Sequence, residues 1–484
     1  MAEQKNQQFV KEITDMTVDF PQWFTDVVIK TGMVDYGPVK GTMVIRPYGY
    51  AIWERIQQEL NVRFAAHGVE NAYFPMFIPY SYLTKEAEHV EGFAPEVAVV
   101  THAGGEELSE KLVVRPTSET IIGKMFSKWI QSYRDLPVRI NQWANVVRWE
   151  KTTRPFLRTS EFLWQEGHTA HRTEEEAVEM TLDILRVYEE FAANVLAIPM
   201  LVGKKTEKEK FAGALATYTI EAMMLDGKSL QSGTSHHLGQ NFAKAFDIRF
   251  LDKDGTLHLP YQSSWGVSTR LIGALVMAHG DQRGLALPPK VAPKQVVIVP
   301  VAAHKPGVIE RASALADELR LKGVRVDLDA RDQSPGWKFN EWEMKGVPLR
   351  IELGPRDIEN NACVTVRRDT HDKTVQSLDG IAETVLALLD EIQANMLEKA
   401  RNFRDSHIVT VSNVDELKEA VDNGNFTKTM WCGMRACEDK IKELTAASSR
   451  CMPFDQTPVG EKCVCCGKPL ASGEGHVIYF AKAY

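Results

Sequence analysis

The sequence has no cysteine before residue 363 and no apolar run approaching the roughly 18 residues of a membrane span. Its polar start, "MAEQKNQQFVKEITDM", carries no apolar signal core, and no internal repeat or low-complexity tract is found. These absences argue against a membrane or exported protein and point to the cytoplasm. Positive charge is not in excess either. The 57 Lys and Arg stand against 65 Asp and Glu, a net charge of −8, which argues against general affinity for nucleic acid. An RNA partner met by local basic patches stays open, because phosphate affinity depends on where the Lys and Arg sit. No G-x-G-x-x-G follows the strand expected after residue 295, so dinucleotide binding there is unsupported.

The chain of 484 residues, 44% hydrophobic and 25% charged, is an ordinary globular composition with a prior of about three domains. Pattern divides it at 1–290, 291–402 and 403–484. The first part mixes long helical runs with short strands. "GYAIWERIQQELNVRFAAHG" (49–68) has helical apolar spacing with Gly68 as a stop, and "VENAYFPMFIP" follows as an extended edge or interface segment around Pro75. After the proline-rich "LALPPKVAPK", strands and helices alternate through 402 as a compact α/β unit. The fold class expected is therefore α+β and α/β multidomain.

Six of the seven cysteines lie after residue 430. Cys432 and Cys437 form a C-x4-C pair, and "CVCC" supplies Cys463 and Cys466 at C-x2-C spacing. Two close pairs suit the four thiolates of a structural tetrahedral zinc site, around which a small module can fold. Scattered buried cysteines are the plainer alternative. Cys451 and Cys465 are left over, and Cys465 competes with Cys466 as a ligand.

"RWEKTTRPFLRTSEFLWQEGH" (148–168) concentrates arginine, glutamate, aromatic and imidazole groups. Read as two strands broken at Pro155, it places Arg148 and Glu150 on one face, and Arg158, Ser160, Phe162, Trp164, Glu166 and His168 on one parity. A surface hairpin with ion pairs would waste Phe162 and Trp164. A ligand floor with a stacking surface and guanidinium forks for phosphate uses them. In "LPYQSSWGVSTRLIGALVMAHGD" (259–281), Arg270 falls in the first turn of an apolar helix, where the dipole disfavours a cation and an anion would offset it, a simply tolerated arginine being the equal alternative. "RPTSET" (115–120) and "LQSGTSHHLGQNF" (230–242) are polar, turn-forming stretches that would by themselves be caps and turns.

With these residues in view, the chain resembles the class II aminoacyl-tRNA synthetases, and most closely the prolyl-tRNA synthetases of the archaeal and eukaryotic type. The resemblance runs over essentially the whole chain. It implies an antiparallel-sheet catalytic domain, an α/β anticodon-binding domain and a zinc-bearing C-terminal α+β domain. Motif 1 corresponds to the helix at 49–68 and the strand near Pro75, the family's homodimer interface. Motif 2 is the 148–168 segment and motif 3 is "GVSTR" ending at Arg270.

The roles implied by resemblance follow residue by residue. Arg148 and Arg270 would be the catalytic cations, with Arg148 on the prolyl carboxylate and α-phosphate. Glu150, Thr159 and Ser160 would contact the adenylate, Phe162 would stack on adenine and Arg158 would meet the γ-phosphate end. Gln231 would help hold Mg²⁺, Thr234 would bind ATP, and Ser268 with Arg270 would complete the ATP site. Thr117, Glu119, Trp164, Glu166, His168, Phe211 and His236 would surround proline, with Arg148 at its carboxylate. Cys432, Cys437, Cys463 and Cys466 would be the zinc ligands. Glu343, Lys345, Arg350, Arg356, Arg367 and Arg368 are charged candidates for the anticodon, with plain surface solubility the alternative for each. The apolar "YFAKAY" end suggests that Tyr484 docks.

The implied reaction joins L-proline to ATP and then to the 3′ end of proline tRNA. Two anions meet, so cationic clamps are the main requirement and no side-chain nucleophile is needed. Threonyl enzymes read their substrate with an active-site zinc, which a chain without early cysteine cannot build. The arginine-glycine motif of histidyl enzymes is also absent. A pocket of this kind rejects a smaller amino acid by only about 1–3 kcal/mol per methylene, so some alanine activation is expected. Motifs 2 and 3 lie roughly 100 residues apart (168 to 270), which leaves no room for a cis-editing insertion. The alternatives are another class IIa synthetase or a non-catalytic sensor of amino acid or tRNA.

Overall fold

The computed structural model describes residues 13–83, 96–471 and 473–484. Most of the polar start read above, residues 1–12, lies outside the described residues. Seven strands of the first unit are β1 (Glu70–Asn71), β2 (Val138–Val147), β3 (Glu161–His171), β4 (Leu201–Lys204), β5 (Ala216–Met223), β6 (Ser229–Gly239) and β7 (Tyr261–Ser268). They form one sheet in the order β4-β5-β6-β7-β3-β2-β1, and Met452–Pro453 of the C-terminal region adds an eighth strand beyond β4. Every neighbouring pair is antiparallel except β1 with β2.

Helix Glu174–Asn194 covers one face of this sheet. A capping box of Thr173 and Glu176 starts it, and its buried Ala177, Met180, Ile184, Tyr188 and Phe191 form the core-facing stripe. The odd-numbered residues of β3, and those of β6 from Gly233 onward, point towards it. Gln165 and Tyr188 hydrogen-bond at 2.6 Å, and Ser235 Oγ donates to the Thr181 carbonyl at 2.7 Å. The even-numbered residues of β3 and β7 are thereby committed to the other face.

The first expected helix is observed as Pro47–Ala66, with Ile52, Trp53, Ile56, Leu60 and Phe64 buried. Gly68 at φ +69° provides the left-handed residue that follows it. The extended segment after it is split: Pro75 lies between Glu70–Asn71 and Phe77–Pro79, consistent with its lack of a ladder donor. The opening segment also differs from two strands meeting at Pro155. Regular pairing stops at Val147 and resumes at Glu161. Between them, Pro155 offers no N–H and Phe156 takes φ 57°, so 148–160 is a loop with an Arg154–Arg158 bridge. Its apolar tip anchors it, since Leu157 packs so closely on Gly273 that an added Cβ there would come within 2.5 Å.

The second unit is a five-stranded sheet in the order Val326–Leu328, Val296–Pro300, Leu349–Leu353, Ala362–Arg367, Lys373–Ser377. The first three are parallel and the last two antiparallel. Helices Val308–Leu321, Pro335–Met344 and Ile381–Ser406 complete the anticipated βα alternation. The exposed edge strand Lys373–Ser377 was not anticipated, because its face has little apolar content to read. Residue 402, the border read from the pattern, falls inside helix Ile381–Ser406.

Several charged candidates for the anticodon are paired within the chain. Arg368 is buried and holds Asp281 through both terminal nitrogens at 2.7 and 2.6 Å, with its Nε on the Glu343 carbonyl at 2.9 Å. Glu343 meets Arg283 at 2.7 Å. The Lys345 carbonyl accepts from Tyr48 Oη at 2.8 Å and its ammonium pairs with Glu341 at 2.9 Å. These contacts join the second unit to the first, and the buried Arg368 is committed to that junction, while Glu343 and Lys345 stay partly exposed. Arg350 pairs with Glu352 at 3.0 Å over Phe339, and Arg367 pairs with Asp369 at 2.8 Å and Glu391 at 3.1 Å. Arg356 is exposed. Replacing Arg368 by Ala is expected to lower stability by about 1–3 kcal/mol, read by urea unfolding. The cost stays at that scale because the Asp281 side chain is 39% exposed and water replaces part of the pairing.

The C-terminal region orders its strands Ile408–Thr410, Phe426–Trp431, His476–Ala481, Ser448–Ser449, flanked by helices Val414–Asp422 and Arg435–Thr445. The chain end docks as anticipated. Tyr484 N–H donates to the Ser229 carbonyl at 3.1 Å, and its hydroxyl donates to Asp226 at 2.7 Å.

Candidate active site

The register of the sheet lays its cavity-facing residues in rows. One row runs His168, Ser264, His236, Thr217 across β3, β7, β6 and β5, each opposite the next. The adjacent row runs Gln142, Glu166, Gly266, Thr234, Thr219 from β2 to β5. Trp164 and Ser268 form a third pairing. Gly266 leaves the floor open between Glu166 and Thr234, because no side chain stands there. The cavity above these rows measures about 290 Å³.

Gln231 reaches the same face for a different reason. It lies three residues before Thr234, which in a regular strand would put the two on opposite faces. The pairing of β5 with β6 slips between Ile220 and Glu221, so Ser232 is an extra residue, a β-bulge. The bulge restores Gln231 to the cavity side, opposite Glu221.

Arg148 and Arg270 reach the cavity from different elements. Arg148 follows β2, its Nε donating to the Pro116 carbonyl at 3.0 Å, and its guanidinium lies 5.6 Å from the Phe162 ring and 5.4 Å from Trp164. The loop presenting Pro116 and Thr117 is fixed by buried Arg115, which donates to the Asn145 and Phe74 carbonyls, both at 2.7 Å. Arg270 begins helix Arg270–His279 and donates to the carbonyls of Leu157 and Gln231, both at 3.3 Å. Burial pulls the pKa of both arginines below the usual guanidinium value. For Arg148, Glu119, Glu166 and Glu150 partly offset this. Arg270 is depressed further by the like charges of Arg158 and Arg148. Cations gathered this closely suit a multiply charged anion.

In the same cavity Glu166 and His168 pair at 2.9 Å, both buried. Glu166 also accepts from Gln142 Nε2 at 2.8 Å and from Ser118 Oγ. Burial opposes both charges, yet the mutual hydrogen bond and attraction prevail: Glu166 lies below its ordinary 4.5 and His168 above its ordinary 6.5. The Glu166 contribution is present above 4.5 and lost as pH falls through its lowered value. That of His168 is present below 6.5 and lost as pH rises through its raised value. The pair is therefore intact across the mildly acidic to neutral range. In Glu166→Gln the His168 ring is expected to titrate lower than in the wild type, burial then being opposed by the charge of Glu119 alone, which histidine NMR checks. His236 is held neutral, its pKa pushed down to about 3 by burial and by the charge of His168. Its Nδ1 lies 2.9 Å from Thr217 Oγ1, and Phe211 packs on its ring at 4.8 Å between centroids.

Of the residues singled out from sequence, Thr117, Glu119, Arg148, Phe162, Trp164, Glu166, His168, Phe211, Gln231, Thr234, His236, Ser268 and Arg270 line this one cavity. Glu150 and Arg158 line an adjoining cavity that shares Arg148 with the first. Thr159 and Ser160 do not present their side chains. Thr159 Oγ1 donates to the Glu161 carbonyl at 2.7 Å, and buried Ser160 packs against Gly41. The reading missed Lys205, Glu209, Thr217, Ser264 and Gly266 in the wall. Ser264 Oγ and Trp164 Nε1 are buried without a partner among the described residues, as expected of groups that meet a ligand.

In the C-terminal region the sulfurs of Cys432, Cys437, Cys463 and Cys466 all lie within 4.8 Å of one another, and those of Cys432 and Cys437 are 3.6 Å apart. Zn–S bonds of about 2.3 Å set tetrahedral S···S edges near 3.8 Å, so the four thiolates fit that ion. Cys465 is not one of the four sulfurs in this cluster. Cys451 is buried in a separate apolar cluster with Tyr479 and Phe426.

The comparisons agree with this geometry. "tRNA synthetase class II core domain (G, H, P, S and T)" matches residues 100–279, "Anticodon binding domain" matches 295–388, and "Prolyl-tRNA synthetase, C-terminal" matches 414–484. A proline–tRNA ligase of Alkaliphilus oremlandii is 61% identical over 482 residues, covering 99% of both chains. Those of Acetoanaerobium sticklandii and Clostridium novyi are 60% and 58% identical, over 99% of this chain and 99% and 100% of theirs. These relatives are bacterial, and they do not confirm the assignment to the archaeal and eukaryotic type. Full-length identity of this order, on a cavity built from motifs 2 and 3, shows that the chain belongs to the prolyl-tRNA synthetases of class II.

Proposed function

We propose that the protein activates L-proline with ATP and transfers it to the 3′ end of proline tRNA. The observation that carries this is the cavity itself, which brings the half-buried Arg148 and Arg270 together with Glu119, the Glu166–His168 pair, Phe211 and neutral His236. The compact apolar ring of proline suits Trp164, Phe211 and His236, and Glu119 with Thr117 can receive its ammonium hydrogens. The prolyl carboxylate attacks the α-phosphorus and pyrophosphate departs. Arg148 and Arg270 offset the repulsion of the two anions and the charge that builds on phosphorus. Phe162 offers its face to adenine. Gln231 presents an amide oxygen at the wall, a hard donor suited to Mg²⁺, which when bound would neutralise phosphate charge. Glu150 and Arg158, in the adjoining cavity, fit the outer phosphates.

The domain borders at 290 and 402, the structural zinc on the four cysteines, a homodimer through Pro47–Ala66 and the strand beyond it, and a cytoplasmic setting belong to the same proposal. Glu343, Lys345, Arg350, Arg356 and Arg367 remain its anticodon candidates. No helix among the described residues is long and apolar enough to cross a membrane. The four-cysteine module and the short interval between motifs 2 and 3 support an enzyme built like the archaeal and eukaryotic type. Pyrophosphate exchange with each of twenty amino acids tests the proposal. Proline is expected to lead, with alanine weaker; another leader would overturn it. Charged alanyl-tRNA bearing proline's anticodon is expected to persist with the enzyme, and rapid hydrolysis would reveal an editing site.

A further inference from the structure

The wall from Lys205 to Phe211 belongs to the catalytic unit, but what holds it comes from the C-terminal unit. Lys205 is buried, lines the cavity and places its Nζ 2.7 Å from Glu221, which is fully buried. Glu221 in turn accepts from Ser229 Oγ at 2.8 Å and meets Arg450 at 3.2 Å. Arg450 belongs to the C-terminal unit, between Ser448–Ser449 and the Met452–Pro453 strand that extends the catalytic sheet. Two further contacts grip the same wall. Thr206 Oγ1 donates to Glu438 at 2.9 Å, and Lys208 pairs with Asp439 at 2.7 Å. Both acids sit on helix Arg435–Thr445, directly after Cys437.

Glu221 lies opposite Gln231, across the bulge that turns Gln231 to the cavity. It also attracts Arg270. One carboxylate thus stands among Lys205, Arg450 and Arg270, leaving a positive surplus at the phosphate end of the site. With Arg450 removed, Glu221 would lose a charge partner in a water-free setting, and Lys205 and the bulge would be free to shift.

We propose that Arg450 and Glu438 are positioning residues of the activation site, and that through Glu221 the C-terminal unit fixes Lys205 as a third cation on the cavity wall. The inference rests on the reading of this cavity as the activation site. It makes the cysteine-bearing unit a working part of the active site.

The test uses full-length Arg450→Met, Arg450→Lys, Glu438→Gln, Lys205→Met and the Arg450→Met/Lys205→Met double variant, measuring amino-acid-dependent pyrophosphate exchange and thermal melting. Arg450→Met is expected to lower kcat/KM by about tenfold to a hundredfold, the scale of a displaced catalytic group, and Arg450→Lys to restore most of it. The double variant is expected to lose no more than Lys205→Met alone, since both act through Glu221. Losses that multiply, or an Arg450→Met chain within about twofold of wild type, overturn the inference. Should Arg450→Met fail to fold, Glu438→Gln and Lys205→Met carry the test: both within about twofold of wild type overturn it. If the wild-type chain prefers another amino acid, the functional proposal falls, and the same variants are read with that amino acid.

Discussion

Replacing Arg148 by Ala is expected to lower proline-dependent pyrophosphate exchange by about 10²–10³-fold while the chain stays folded. The reason lies in where the guanidinium stands. It is the group shared by the two adjoining cavities, so it can touch both the amino-acid carboxylate and the nucleotide phosphates. Burial disfavours its charge, and Glu119, Glu166 and Glu150 hold it in the charged form. A cation already desolvated and fixed by Pro116 and the Phe162 and Trp164 rings needs no reorganisation as charge develops on phosphorus. Lysine at 148 is expected to recover little, because a point charge on a flexible stem lacks the planar fork that grips two oxygens and stacks on rings. Exchange kinetics with saturating proline and ATP measure the loss. Melting of the variant close to wild type separates it from unfolding, and full retained exchange would remove Arg148 from the mechanism.

Alternation made part of this site legible. Phe162, Trp164, Glu166 and His168 share a face because β3 is regular there, and period two needs no partner strand to be read. Gln231 and Thr234 defeat that rule, since only the bulge at Ser232 puts them together and bulges leave no clear mark in a single sequence. Thr217, Ser264 and Gly266 were missed because they owe their place to register. Which residue of one strand lies opposite His168 or Glu166 is decided by pairing, not by local composition. Thr159 and Ser160 were read as one continuous strand, whereas Pro155 and Phe156 turn the backbone and bury both hydroxyls.

Charge near strand ends was ambiguous in the same way. Arg368 and Glu343 have the composition of an RNA-facing surface, but partners from the first unit, Asp281 and Arg283, engage their charges. A sequence shows that a surface is charged and not which other unit covers it. The apolar spacing of 49–68 and the βα alternation after 295 were read correctly because each is a local pattern with a large burial energy behind it.

Loss of the four-thiolate site is expected to have the other large effect. The C-terminal unit is small, and its core cluster includes Cys437 and Cys463 themselves among Leu417, Ile441, Ile478 and Phe480. Four thiolates holding one ion would bind helix Arg435–Thr445 to the turn at 463–466, and zinc held by such sets supplies about 10–16 kcal/mol of apparent folding free energy. Without the ion, four sulfurs this close gain nothing comparable from one another. Cys463→Ser, or exhaustive chelation of the native chain, is therefore expected to release bound zinc and melt the C-terminal unit well before the catalytic sheet. Elemental analysis gives the zinc content, and calorimetry of variant against wild type gives the melting, as a C-terminal transition that moves to lower temperature. Cys465→Ser is the matched control, because its sulfur is not one of the four in the cluster, and it is expected to keep one zinc per chain. Equal zinc in Cys463→Ser and wild type would dismiss the site, and loss of zinc in Cys465→Ser would reassign its ligands.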